Sequence, residues 1–330
     1  MSIKPFLFLL ALLGSRFAAA QVYSVTDPLA HTFSIVARDL KTGDMAVAVQ
    51  SHWFSVGTSV SWGEAGVGVV ATQSFTNKSF GPRGLALLKS GKTAQQALDE
   101  LLAADESRDV RQVAILDAKG NVATHTGKKC IDEAGHVKGN QFSVQANMML
   151  NSTVPAAMAK AYDQHAALPL AERVLAALDA AQAAGGDIRG RQSAALLVVR
   201  GTATEGPWAD RLIDLRVDDA EVPLQELRRL LQLHRAYEHM NAGDLAVEKN
   251  DVPGAIREYE AAEKLFPQNL EMKYWHAISL ANKQQVPAAL ALLRPIFQQE
   301  PNWRVLTGRL PKVGLLTVSP AELAQIMSLK

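Results

Sequence analysis

Between His31 and Val217 short apolar runs alternate with turn-forming residues, and the spacing predicts strands. Phe33 to Ala37 and Met45 to Val49 flank Lys41-Thr42-Gly43-Asp44, the composition of a hairpin: β-rich runs on either side of a turn carrying Gly and Asp. Val67 to Phe75, Gln112 to Asp117, Asn121 to Thr126, Phe142 to Met148, Ala194 to Val199 and Ile213 to Val217 complete a set of eight. Two helical blocks interrupt them. The first, Pro82 to Ala104, is broken at Gly91 and restarted by Thr93, with Gln96 three residues on completing a capping box. The second, Val154 to Ala184, gathers Leu170, Val174, Leu175, Leu178 and Ala181 on one face and ends at Gly185-Gly186. Strands, helices, strands and helices in that order suit an α+β sandwich better than alternating βαβ units.

After Val217 the strand pattern stops, and residues 223–330 read as helical. Ala255 and Ala289, like Pro267 and Pro301, stand 34 residues apart, the period of tetratricopeptide repeats. Gly243, Ala255, Tyr259, Ala262 and Pro267 mark one unit, and Ala277, Leu280, Ala289, Leu293 and Pro301 mark the next. Small residues there let paired helices approach. Two repeats bury too little surface to stand alone, so Leu224 to Leu233 and Pro320 to Leu329 are expected to cap them, or a second subunit does so in a homo-oligomer.

Composition narrows the function classes. The 330 residues are 48% hydrophobic and 20% charged with a net charge of +1, so the chain is neither disordered nor provided with the basic footprint of a general nucleic-acid binder. One cysteine, Cys130, excludes an intrachain disulfide and a Cys-rich zinc site. Lys4, the apolar run Phe6 to Leu13 and Ala18-Ala19-Ala20 have the order of a secretory signal over residues 1–20. That run is too short to span a bilayer, and no later segment is apolar enough to do so. The expected product is therefore exported, periplasmic or secreted, and starts at Gln21.

Metal and nucleotide signatures are lacking, and no cofactor is expected. Gly66-Val67-Gly68-Val69-Val70-Ala71 lies in a strand pattern with no helix directly after it, and Ser90-Gly91-Lys92-Thr93 is a helix restart, not a phosphate loop. Polar positions in strands are more informative. Phe142, Val144, Ala146 and Met148 share one face of their strand, which leaves Ser143, Gln145 and Asn147 in a row on the other. Gln50, Ser51 and His52 end one strand, while Thr72, Gln73 and Ser74 punctuate another. Under covering helices such groups need partners: they line a cleft or form a satisfied internal network.

Several segments are recognisable together: His31 to Asp39, Val47 to His52, Ala65 to Gly68, Ala71-Thr72-Gln73, Gly81-Pro82-Arg83-Gly84, Arg111-Gln112-Val113 and Gly185 to Gly190. Across residues 31–218 the chain resembles the bacterial family catalogued as domain of unknown function 1028. The resemblance implies a four-layer αββα sandwich of the N-terminal nucleophile (Ntn) hydrolase type over residues 32–218, followed by the tetratricopeptide-like helical domain over residues 223–330. In that fold a Thr, Ser or Cys opening the first strand attacks an amide carbonyl, and its own α-amine takes the proton. Thr32 is in that place, with residues 21–31 as a propeptide whose removal requires cleavage between His31 and Thr32. Gln73 and Asn147 are then candidate oxyanion donors, and His52 and Asp187 candidate orienting groups. Arg83, Gln145, Arg189 and Arg191 are candidate substrate contacts, the last two able to grip a carboxylate unless they serve a structural ion pair. Cys130, beside Lys128 and Lys129, is the alternative nucleophile, since two cations favour thiolate. Two functions follow: an exported amidohydrolase acting on peptide or amide-linked cell-envelope material, or a non-catalytic scaffold that binds peptide or protein partners through its cleft and repeats.

Overall fold

The computed structural model describes residues 29–30 and 32–330. The expected signal over residues 1–20 and most of the expected propeptide lie outside the described residues. In chain order the elements are β1 (Leu29–Ala30), β2 (Thr32–Arg38), β3 (Met45–Ser51), α1 (Gly57–Val60), β4 (Ser61–Glu64), β5 (Gly68–Phe75), α2 (Phe80–Lys89), α3 (Ala94–Ala103), β6 (Arg111–Asp117) and β7 (Val122–Thr126). Then follow β8 (Gly135–Gly139), β9 (Phe142–Ala146), α4 (Val154–Gln164), α5 (Leu170–Ala183), β10 (Ser193–Val199) and β11 (Arg211–Val217). The helices α6 (Pro223–Glu248), α7 (Val252–Leu265), α8 (Leu270–Asn282), α9 (Val286–Gln299), α10 (Asn302–Thr307) and α11 (Pro320–Met327) complete the chain.

All eight expected strands are present. β1, β4 and β8 are additional, each too short or too polar to show alternation in sequence. The hairpin expected at Lys41 to Asp44 joins β2 to β3 with Arg38 opposite Met45. Its turn is held by the Asp39 carboxylate, which accepts from the Lys41 and Thr42 amides, and by Gly43 at φ +80°. The capping box is also present: Gln96 N donates to Thr93 Oγ1, and Thr93 N donates to Gln96 Oε1. The second helical block is two helices, α4 and α5, because Pro169 caps the start of α5.

The strands form two antiparallel sheets. One has the order β11-β10-β3-β2-β9-β8; in the other β1 and β4 lie along the edge of β5 opposite β6, and β7 follows β6. Strand alternation sorts each side chain to one of two faces. Phe33, Ile35, Ala46, Ala48, Val144 and Leu196 turn outward into a core shared with α4, α5 and the start of α6. Val70, Val113 and Ile115 turn outward on the other sheet against α2 and α3. Val36, Val47, Val49, Val69, Ala71, Ala114, Leu116 and Leu197 meet between the sheets.

The helical region repeats as its sequence does. α7 and α9 have 14 residues each, and both ends are displaced by 34 residues. Ala255 and Ala289 are fully buried at equivalent places. Ile326 and Leu329, in and after α11, pack into the core of α8 and α9, as a terminal cap should. The segment expected to cap the other end is divided: Leu224, Leu227 and Leu231 bury into the sheet-and-helix core, while Leu233 packs against the repeat helices. The i, i+3, i+7 spacing of Leu224, Leu227 and Leu231 puts all three on the face of α6 that meets α5 and β10.

Candidate functional site

Inward-facing positions between the sheets change character along the strands. Toward one end they are aliphatic, among them Val36, Val47, Val69 and Ala114; toward the other they are Thr32 and Ser34 on β2, Ser51 on β3, Gln73 on β5, Gln112 on β6, Ser143 and Gln145 on β9, and Asn147 just beyond it. All eight of these polar side chains are fully buried. The row Ser143, Gln145 and Asn147 therefore faces inward as its alternation predicts, and it belongs to a hydrogen-bonded network.

The network has a defined sense. Gln73 Nε2 lies 3.2 Å from the Thr32 carbonyl and 3.4 Å from the Gln145 carbonyl, while Gln112 Nε2 meets the carbonyls of Ala146 at 2.9 Å and Gly135 at 3.2 Å. Carbonyl oxygens only accept, so both amides have their nitrogen there and their oxygen on the opposite side. Gln112 Oε1 then accepts from Gln73 Nε2 at 2.7 Å and from Asn147 Nδ2 at 2.8 Å. Gln73 Oε1 accepts from Ser34 Oγ at 2.6 Å, and that hydroxyl accepts in turn from Gln145 Nε2 at 2.6 Å. Thr32 Oγ1 donates to Ser51 Oγ at 3.2 Å, and Asn147 Nδ2 reaches the Thr32 carbonyl at 3.4 Å. Thr32 stands where the chain changes sheets: Ala30 pairs with Ser74 in one, and Thr32 pairs with Ser51 in the other.

Thr32, Gln73, Gln145 and Asn147 are thus brought together. The other expected site residues are not part of this cluster. The Asp187 carboxylate accepts from Arg189 Nε at 3.0 Å, Nη2 at 2.7 Å and the Arg189 amide at 3.0 Å, and also from the His52 amide at 3.2 Å. Asp187 and Arg189 form a structural ion pair that holds their loop, the second of the roles expected for them. The exposed His52 ring approaches the Arg191 carbonyl at 3.4 Å, and the Arg191 side chain is exposed. Arg83 lies on α2, the helix covering the far face of the five-stranded sheet. Cys130 Sγ donates to the Arg111 carbonyl at 3.5 Å, and burial pushes its thiol pKa up, opposite to the effect expected of the neighbouring lysines. Lys128 is directed instead to Asp109, at 3.4 Å.

Ser34 and Gln112 went unnoticed among the sequence candidates. Alternation carried the signal: Ser34 lies between Thr32 and Val36, and Gln112 precedes Ala114 and Leu116, each set on one inward face.

The family model described as "Family of unknown function (DUF1028)" matches residues 32–227, well over half of the chain, and the chain belongs to that family. Among solved structures, protein SPO2555 from Silicibacter pomeroyi, of the same family, is 31% identical over 61% of this chain and 88% of its own, with a TM-score of 0.55. No curated protein matches the chain. The family match starts at Thr32 and ends inside α6, so most of the helical region lies beyond it.

Proposed function

We propose that this protein is a latent amidohydrolase of the N-terminal nucleophile type, exported, with Thr32 as nucleophile after cleavage of the peptide bond before it. The observation that carries the reading is the position of Thr32: it opens β2, it is fully buried between the sheets, and it heads a cluster of hydroxyls and amides. The two facing sheets with helices outside each are the layering this reading requires. The start of the family match at Thr32 supports the view that the preceding residues are dispensable to the mature site.

The chemistry runs in two stages. Thr32 Oγ attacks the carbonyl of residue 31, the C–N bond breaks, and the acyl group passes to oxygen as an ester; water then hydrolyses the ester, releasing a carboxylic acid and leaving Thr32 with a free amine. A terminal amine of pKa ~8 is a usable general base near neutral pH, a role the amides cannot fill. With a substrate amide, that amine takes the Thr32 hydroxyl proton and passes it to the departing amine, and water hydrolyses the resulting acyl-enzyme. Gln73 and Asn147, which now donate to the Thr32 carbonyl, are the nearest preorganised donors for the oxyanion. Peptides and amide-linked envelope material are the substrate class. The paired helices α6 to α9, tetratricopeptide-like in period, are assigned to recruiting a peptide or protein partner.

Intact mass of protein recovered from the periplasm, followed by turnover of a panel of N-acyl amino acids and peptides, tests this directly. The expected result is a mature chain starting at Thr32, with hydrolysis lost by at least a thousandfold in Thr32→Ala while its circular dichroism is unchanged. A homogeneous active species retaining residues 21–31 overturns it. Unprocessed protein that binds a peptide tightly without turnover favours the scaffold function instead.

A further inference from the structure

The amide chain around Thr32 does not end in the interior. Gln112 Nε2 donates to Thr126 Oγ1 at 2.9 Å, and Thr126 Oγ1 lies 2.8 Å from His136 Nδ1 on β8. The bonds therefore run in one sense, from Gln145 through Ser34 and Gln73 to Gln112 and Thr126, each hydroxyl accepting one proton and donating one. Thr126 already accepts from Gln112, so its own proton is available for His136 Nδ1. We propose that His136 is a positioning residue for the Thr32 site: neutral, it accepts the Thr126 proton and holds Gln112, Gln73 and Asn147 as they stand. Protonated, it must donate through Nδ1, so the Thr126 oxygen receives a second donor beside Gln112 and the Thr126 proton loses its acceptor.

The surroundings favour the neutral ring. Partial desolvation of the His136 ring, which is exposed on β8, then His125 on β7 and Lys138 on β8 itself, lower the His136 pKa from its ordinary value. β9, which pairs with β8, carries no titratable residue, and α4 packs on the other face of β8, where Val137 enters the helix-side core and Gly135 lies near Pro155. Protonation of His136 is thus expected only at a pH lower than an unperturbed histidine requires.

The inference rests on the hydrolase reading for its effect on rate, but its structural half is tested without turnover. In full-length protein labelled at the imidazole and side-chain amide nitrogens, NMR above pH 7 should show His136 protonated at Nε2 with Nδ1 an acceptor. As His136 titrates, the Gln112 and Gln73 amide signals should shift with the same midpoint. In His136→Asn, whose Oδ1 takes the place of Nδ1, they should stay fixed. Amide signals that ignore the His136 titration overturn the proposal whether or not the protein is an enzyme. In the turnover assay the Thr32 amine alone gives a tenfold loss per pH unit below its pKa. Protonation of His136 should add a further step of about 3–10-fold centred on its own midpoint, and His136→Asn should remove that step. Removing the acceptor in His136→Phe should slow turnover about 3–10-fold at pH 8. A step that persists in His136→Asn breaks the link to catalysis, whereas absence of turnover in every chain counts against the hydrolase reading and leaves the NMR result to decide the relay.

Discussion

Gln112 is the residue on which the buried network turns. Its Oε1 receives Gln73 and Asn147, and its Nε2 serves two carbonyls and Thr126. A buried donor without an acceptor costs about 1–3 kcal/mol, far more than the net gain from making an ordinary hydrogen bond. Gln112→Met fills about the same volume but removes the acceptor shared by Gln73 and Asn147 and the donor to two carbonyls and Thr126, so it is expected to lower stability by about 3 kcal/mol in urea unfolding. A loss below about 0.5 kcal/mol would mean that the network is not held in this form. The loop pair Asp187 and Arg189 gives the opposite lesson. Its carboxylate is saturated by the guanidinium and two backbone amides, which makes it a tie between the chain after α5 and the end of β3, not a free anion site.

At the scale of elements, close helix approach depends on single small residues. Gly243 of α6 faces the Tyr259 ring of α7 so closely that an added Cβ would stand 2.5 Å from the ring. The ring is 2% exposed, and its hydroxyl donates to Asp244 Oδ1 at 2.6 Å, so it has little room to move. Gly243→Ala is therefore expected to destabilise the helical region by about 1–3 kcal/mol through overpacking, despite alanine's better helix propensity. Thermal unfolding followed at 222 nm checks the sign; a stabilised variant would show that the two helices can separate without cost. The same contact explains why Gly243 was legible as a repeat marker: a small residue at that step of the 34-residue period is where two helices meet.

Across the whole molecule, α6 links two cores. Its 26 residues span about 39 Å at the rise of an α-helix. Its first turns bury Leu224, Leu227 and Leu231 against α5 and the six-stranded sheet, while Met240 and Gly243 belong to the packing with α7. Ion pairs from Arg228 to Asp179 and from Arg235 to Glu172 tie the helix to α5. Leu227→Ala should cost about 2–5 kcal/mol. Its effect on hydrogen exchange should appear in α5 and β10, not in α8 and α9. The reverse pattern would restore the view that this segment caps the repeats. One continuous helix thus takes part in both cores, with no break in α6 between them.

The order of strands and helices, the hairpin at Gly43, the capping box at Thr93, the inward row of Ser143, Gln145 and Asn147, and the 34-residue repeat were all determined by sequence alone. Each rests on local periodicity or on residues within a turn of one another, so a linear pattern contains it. Strand alternation even told which face each polar side chain takes. It could not tell what that side chain meets there, because Ser34 and Gln73 are 39 positions apart and Asn147 and Thr32 are 115 apart. Only the stacking of the two sheets decided that the polar ends of five strands coincide and hydrogen-bond to one another. The Asp187 pair with Arg189, two positions along the chain, is by contrast a local contact. The stacking brought in Gln112, Thr126 and His136, whose roles exist only as pairwise contacts between strands that the chain visits at different times.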